Sequence, residues 1–406
     1  MIPPAEFVTP SPDRQTTLAR YRQRYEAELF ERVIPFWETH SPDPEHGGYF
    51  NCLDRDGTVY DRTKHSWLQG RQAWIFSMLY REVEPRDKWL DTAESGVSFL
   101  REHALRPNGQ VFFSLTREGE PIYQQRKIFS ECFYVMALAG VARAADRPTL
   151  MNEAEQELKQ IWDWAYDWSR VERPVHKGQP EAQQLAVPMI LLNLIEVVAG
   201  DDAEAYSVEI DECIERIQRH VDPDAELVLE NVRPDGTRLE GSDGRLLNPG
   251  HAIEAGWFLQ HWAQRLDRPE LQDLATNIVR WSYETAWDDE HGGLFYFLDA
   301  EGYPPTQLEW FMKLWWPHTE ALYAHLLNYA LTGNEEDWAR FEQVHDYTFD
   351  HFPDPEHGGW FGYLDREGQR MHECKGAPYK GCFHVPRGLF LCWRLLRELE
   401  QERSTG

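Results

Sequence analysis

Residues 42–57 read PDPEHGGYFNCLDRDG, and the phrase returns at 353–368 as PDPEHGGWFGYLDREG and at 287–302 as WDDEHGGLFYFLDAEG. A weaker copy, RPNGQVFFSLTREG, occupies 106–119, and a remnant, LENVRPDG, ends at Gly236. Each copy has the composition of a glycine turn, a short alternating strand and a second glycine turn, which is a hairpin-like loop. Gly48 and Gly109 are 61 residues apart and Gly293 and Gly359 are 66 apart; one further, degenerate unit fits around residues 172–180. A period of that length marks a repeat architecture, in which each unit buries its apolar face on its neighbours.

Between the loops the apolar residues recur at helical spacing, as in Tyr21, Tyr25, Leu29, Val33 and Trp37. The pattern predicts helices near 20–40, 65–83, 86–104, 127–146, 149–168, 181–200, 203–220, 250–266, 269–286, 309–332, 334–351 and 382–400. Twelve helices in six similar hairpins predict an all-α closed toroid rather than an open solenoid, with the short β-hairpin loops gathered at one end. No Pro/Ser-rich linker interrupts the series, so residues 1–406 are expected to form one domain, with short flexible termini at about 1–15 and 402–406.

Composition restricts the partners. The chain carries 69 acidic and 41 basic residues, a formal charge of −28, whereas nucleic acid and anionic membranes demand a basic footprint. No stretch approaches the roughly 18 apolar residues that span a bilayer, and the N-terminus has no basic segment followed by an apolar run. The six cysteines (Cys52, Cys132, Cys213, Cys374, Cys382 and Cys392) are scattered without a CxxC pair and read as reduced thiols of a cytoplasmic protein. Aromatic residues make up 13% of the chain, which suits both a large core and stacking against sugar rings.

The repeated histidines His46, His291 and His357 occupy equivalent loops, where one catalytic act would have to be performed three times over; they are assigned to turn architecture. Four other segments carry polar residues within apolar helical context: Trp67–Gln72, Asn248–Trp257, Lys313–Glu320 and Lys380–Arg387. In the second of these, Pro249 and Gly250 open a helix, so His251 falls in its first turn and Glu254 one turn further on the same face. The last three segments each open a helix of inner type, where their side chains can converge on one cavity. No HExxH, CxxC or paired-carboxylate array is present, so no metal site is expected, and no GxxxxGK[ST] string marks a nucleotide loop. Two carboxylates, Glu254 and Glu320, could imitate a glycosidase pair, and a non-catalytic sugar-binding module would keep the aromatics, but both readings leave the histidines unexplained.

The strings WLQGRQ, NPGHxxEAGWF, KLWWPHxEA and KGxPxKGCFHVPR, together with PMILLNLIE at 188–196, resemble those of the N-acylglucosamine 2-epimerases from about Gly47 to Arg387. The resemblance implies an (α/α)6 barrel and reversible inversion at C2 of a reducing sugar, N-acetylglucosamine and N-acetylmannosamine being the pair whose enzymes are most alike. Mannose/glucose or other free-aldose epimerisation and aldose–ketose isomerisation are the alternatives within the same family. Cellobiose epimerases differ where this chain has Asn193. A C2 proton beside an aldehyde is removed to give an enediolate, and inversion requires removal on one face and return on the other. The resemblance assigns that exchange to His251 and His384, charge stabilisation to Arg71, orientation to Glu254 and Glu320, and the sugar site to Asn193, Trp316 and His318. It further implies no cofactor for the chemistry, ATP as an allosteric activator, and a homodimer.

Overall fold

The computed structural model describes residues 3, 5, 7–174 and 176–401. The helices are α1 (Pro12–Ala27), α2 (Ile34–His40), α3 (Ser66–Glu82), α4 (Asp87–Phe99), α5 (Phe129–Ala144), α6 (Pro148–Ala165) and α7 (Ala186–Ala199). They continue as α8 (Ser207–Gln218), α9 (Pro249–Leu266), α10 (Pro269–Ala286), α11 (Trp315–Thr332), α12 (Glu335–His351) and α13 (His384–Gln401). A π-helical segment, Glu28–Val33, joins α1 and α2 into one rod. Pro35 supplies the cause: it has no N–H to donate, and its ring would collide with the carbonyl four residues back in a regular α-turn. The described residues therefore form twelve rods in six pairs, an (α/α)6 barrel.

Burial separates the two rings. In α11 every residue from Trp315 to Ala330 is buried, as befits an inner helix packed on all sides. In α6 the buried set is Leu150, Ala154, Leu158, Ile161, Trp164 and Ala165, a single stripe at helical spacing, as befits an outer helix with one face in solvent. The inner ring is α3, α5, α7, α9, α11 and α13, each packed on the next. One apolar cluster runs unbroken from Leu18 to Leu399.

Several boundaries differ from the sequence reading. The first rod begins at Pro12, inside the segment assigned to a loose N-terminus, because Ser11 caps it by accepting a hydrogen bond from the Arg14 amide at 3.3 Å. Upstream, the Val8 amide donates to the Ala330 carbonyl at 2.9 Å. The tenth rod, α11, starts at Trp315 rather than near 309, because Lys313–Leu314 is a strand. The degenerate unit near 172–180 forms no strand among its described residues, and residues 402–406 lie outside the described residues.

The repeated phrase explains how the ring is fastened. In each full copy both glycines have positive φ (Gly47 and Gly48 at 73° and 62°, Gly292 and Gly293 at 73° and 76°, Gly358 and Gly359 at 71° and 63°), a conformation a side chain strains. The aspartate opening the turn accepts main-chain N–H bonds from the residues two and three ahead, as in Asp43 with Glu45 and His46 at 3.1 and 3.3 Å. That buried aspartate also holds a fully buried lysine and the arginine of the next copy's second turn. Asp43 thus binds Lys64 (3.0 Å) and Arg117 (2.9 Å), and Asp288 binds Lys313 and Arg366 (both 3.0 Å). Asp354 binds Lys375 and Arg55 (both 2.8 Å). The last set joins the sixth unit to the first and closes the toroid.

Short antiparallel ladders do the same with main chain. The strand leading into an inner helix pairs with the hairpin of the following unit: Lys64–His65 with Ser114–Leu115, and Lys313–Leu314 with Tyr363–Leu364. These ties hold the N-terminal ends of the inner helices at one mouth of the barrel, and the candidate site lies there.

Candidate active site

A cavity of about 480 Å³ opens among the N-terminal ends of the inner helices. Trp67 and Arg71 face it from α3, Phe129 and Phe133 from α5, Asn193 from α7, His251 and Glu254 from α9, Trp316 from α11, and His384 and Arg387 from α13. It continues outward into a second space of about 880 Å³, the two sharing Lys127, His251 and Tyr296.

The two histidines both lie against one indole. Trp316 lies with its ring centroid 5.5 Å from His251 and 5.5 Å from His384. Its place depends on Gly250, because a Cβ at that residue would fall 2.4 Å from the far edge of the indole.

Each imidazole is held by a carboxylate on Nδ1. His384 Nδ1 is 2.7 Å from Glu320 Oε1, and His251 Nδ1 is 3.0 Å from Glu230 Oε2. With Nδ1–H donated to a carboxylate, Nε2 is left for the cavity in both rings. Asn248 caps α9 through its Oδ1, which accepts the His251 amide at 3.3 Å, and this places its Nδ2 3.0 Å from His251 Nδ1.

The surroundings give the two rings opposite affinities for a proton. Burial opposes charge on His251, but Glu230, by charge and by hydrogen bond, and then Glu254 more than compensate, and its pKa is raised. His384 is held well below the ordinary histidine value by burial first and then by the Arg71 and Arg387 guanidinium groups. Burial likewise lowers the Arg71 pKa to about 9. Its guanidinium is sandwiched among the rings of Phe133 (4.1 Å), Trp67 (4.5 Å) and Phe383 (4.8 Å), and its buried Nε has no hydrogen-bond partner within the protein. A buried cationic donor with spare hydrogen bonds suits an oxygen that gains negative charge.

Of the eight site residues expected from the sequence, Arg71, Asn193, His251, Glu254, Trp316 and His384 line one cavity. Glu320 stands behind His384, where Trp257 Nε1–H donates to its Oε2 at 3.0 Å and Arg387 to its Oε1 at 2.7 Å. Glu254 is paired with Arg387 and does not orient a histidine by hydrogen bond. His318 is placed apart from this cavity: its Nε2 accepts the Leu294 amide (2.9 Å) and its Nδ1 donates to the Leu314 carbonyl (2.6 Å). With both nitrogens committed to main chain in a dry site, it fastens the HGG hairpin to α11. His46, His291 and His357 are half-exposed beside Glu45, Glu290 and Glu356, away from the cavity. Among the described residues, Glu254, Glu320 and His384 are the three ligand-type side chains grouped closely enough for a metal ion, but Arg387 already bridges the two carboxylates with its own positive charge.

Comparison with known proteins gives the family. Residues 48–385 match the N-acylglucosamine 2-epimerase (GlcNAc 2-epimerase) family. The chain belongs to that family. It is 47% identical over 394 residues to N-acylglucosamine 2-epimerase of Bos taurus, covering 95% of this chain and 93% of that one. With N-acylglucosamine 2-epimerase of Homo sapiens it is 46% identical, covering 94% and 92%. The solved structure of cellobiose 2-epimerase from Spirochaeta thermophila superposes with a TM-score of 0.82 at 21% identity, covering 96% and 99%, a likeness of fold.

In this chain, sequence reading missed Glu230. Aligning the repeated phrases on their second turn puts Asn51, Phe113, Glu230, Tyr296 and Gly362 at one position. Glu230 is the one charged residue among the five, which is the signal that marks it out. The buried lysines Lys64, Lys313 and Lys375 were also missed as a set; each lies shortly before an inner helix, where a lysine in an apolar run needs a carboxylate.

Proposed function

We propose that this protein interconverts N-acetylglucosamine and N-acetylmannosamine by passing a proton at C2 through His251 and His384. The observation that carries the reading is the pair of imidazoles lying against Trp316, both presenting Nε2 to one cavity and differing in proton affinity. The open-chain sugar places C2 between them. His384, neutral at rest, takes the C2 proton from one face as the C1 aldehyde oxygen becomes the oxygen of a 2-acetamido enolate; Arg71 stabilises that oxygen anion; His251, protonated at rest, delivers a proton to the opposite face. The reverse reaction uses the same groups with the proton on the other ring. Nothing is oxidised or reduced between the epimers, so the step calls for no redox cofactor.

Asn193 and Trp316 contact the sugar in this reading, and Glu254 fixes Arg387. Activation by ATP, a homodimer and a cytoplasmic location carry over from the resemblance to the N-acylglucosamine 2-epimerases. Among the described residues no helix is long and apolar enough to cross a membrane, and all six cysteines are free thiols.

The test is reaction in D2O with N-acetylmannosamine, mannose and cellobiose, each with and without ATP. N-acetylmannosamine should react fastest and its product should carry deuterium at C2. His251→Ala and His384→Ala should each abolish epimerisation while leaving the thermal transition in place; His46→Ala should keep activity. A tenfold preference for mannose, or product that keeps its original C2 hydrogen in single-turnover conditions, would overturn the assignment.

A further inference from the structure

The two catalytic candidates are matched in their nearest contact, a carboxylate on Nδ1, and differ in what that carboxylate touches next. Glu320, beside His384, is already neutralised: Arg387 Nη2 donates to the same Oε1 at 2.7 Å, and Trp257 Nε1–H occupies Oε2 at 3.0 Å. The same Arg387 nitrogen lies 3.4 Å from His384 Nδ1 and also pairs with Glu254. Among the described residues, Glu230, beside His251, has no arginine or lysine within ion-pair distance, and its one ion-pair partner is the imidazole itself. Lys127, facing it across the junction of the two cavities, stands beyond that distance and feels Glu230 only as a distant charge. Both rings also see Arg71 from α3 and Glu254 from α9, and His384 feels the charge of His251. Arg71 depresses His384 more than Arg387 does and weighs least on His251, so it contributes to the difference, while Glu230 and Arg387 are the direct contacts particular to one ring each.

We propose that Glu230 and Arg387 are positioning residues that act in opposite senses: Glu230, left without a cation of its own, keeps His251 an imidazolium, and Arg387, by neutralising Glu320, keeps His384 a neutral imidazole. The pair therefore rests with one proton, on His251, which is the state that can start a two-base inversion. A buried carboxylate favours a charged partner only to the extent that its own charge is not already satisfied. Exchange of Glu320 and Glu230 as mere hydrogen-bond acceptors would not produce the asymmetry; the second contact does.

The consequence is a pH profile with two separately adjustable limbs. Activity requires one proton on the pair. Below the His384 value both rings are charged and no base remains; above the His251 value both are neutral and no acid remains. Because the two values are driven apart, the plateau between the limbs is wide. Glu230 sets the alkaline limb and Arg387 the acid limb.

The proposal rests on the two-histidine reading for its use in catalysis, but the closing experiment needs no sugar. Enzyme labelled with 13C at histidine Cε1 is titrated by NMR without substrate, with His251→Asn and His384→Asn variants to assign the two signals. The wild type should show His251 titrating above the ordinary histidine value of about 6.5 and His384 titrating well below it. Glu230→Gln should lower the His251 midpoint by at least one unit, a tenfold loss of proton affinity, and leave His384 where it was. Arg387→Lys, which keeps the charge, should reproduce the wild-type titration of His384, and Arg387→Met should raise it by at least one unit. If Arg387→Met does not fold, Arg387→Met combined with Glu254→Gln, which removes the carboxylate left unpaired, makes the same comparison.

A His251 midpoint within 0.3 unit of wild type in Glu230→Gln, or a wild-type His384 that takes up a proton above pH 6, overturns the proposal. In kcat/KM, the alkaline limb should move down by at least one unit in Glu230→Gln while the acid limb stays; movement of both limbs together would also overturn it. If the titrations behave as stated and no sugar shows C2 exchange, the functional reading fails and this inference stands.

Discussion

Gly250→Ala separates the chemistry from the scaffold. A Cβ at residue 250 would lie 2.4 and 2.6 Å from two carbons of the Trp316 six-membered ring and 3.1 Å from Pro317 Cγ. Carbon atoms in ordinary contact sit about 3.5–4.0 Å apart, so the indole must retreat by roughly 1.2 Å. Trp316 is backed by buried structure, and the yielding direction is the cavity that holds the sugar. Overpacking of this kind costs about 1–3 kcal/mol, and replacing glycine by alanine inside a helix returns about 1 kcal/mol, leaving a net loss of about 0–2 kcal/mol. A chain of 406 residues has an unfolding entropy near 0.85 kcal/mol/K at about 2.1 cal/mol/K per residue, so Tm should fall by no more than about 2 °C. Activity should fall far more, because Trp316 lies against both imidazoles and a displacement of about 1 Å at a reacting centre costs on the order of 100-fold. The assay is kcat/KM for N-acetylmannosamine beside a thermal melt. Full activity in Gly250→Ala would refute the claim that Trp316 sets the spacing of the two histidines; a large loss of Tm would refute the claim that the indole yields into the cavity.

Lys313→Met removes the cation from a fully buried pair with Asp288 and a donor from the Gly293 carbonyl; Arg366 remains on the aspartate. The loss should be about 3 kcal/mol, or about 3–4 °C in Tm, with kcat/KM at 25 °C within threefold of wild type, and an unchanged melt would refute the structural role. Stability itself should depend on pH through histidines that fold neutral. Burial lowers the pKa to about 3 for His318 and His345 and to about 4 for His220. The unfolded chain, at about 6.5, binds protons that the folded chain refuses, so the stability present above pH 6.5 is lost progressively as pH falls from 6.5 toward those values. Tm should therefore be clearly lower at pH 5 than at pH 7.5, and a flat Tm across that interval would contradict the buried, neutral assignment.

Local sequence determined a good deal. The double glycine in the HGG phrase requires a left-handed pair, and its repetition at 61 to 66 residues, with helical spacing between, was enough to predict six helical hairpins. Ser11 and Pro12 were a legible cap that the apolar pattern alone fell short of, since capping is written in the residues before the periodic stretch. Pro249 and Gly250 fixed His251 in a first helical turn, because helix starts are set by residues adjacent in the chain. Tertiary structure decided what depends on distance across the ring. His318 stands in as polar a segment as His384, one turn into an equivalent inner helix, yet one is consumed by main-chain bonds to a hairpin and the other faces the cavity; nothing within either segment states which neighbour will reach it. Glu230 lies 21 residues from His251 in a loop, and Glu320 lies 64 from His384 on another helix. Proton affinity is set by charges within a few ångströms whatever their separation along the chain, so the opposite settings of the two histidines exist only once the barrel has closed and brought Arg387 to one carboxylate and no cation to the other.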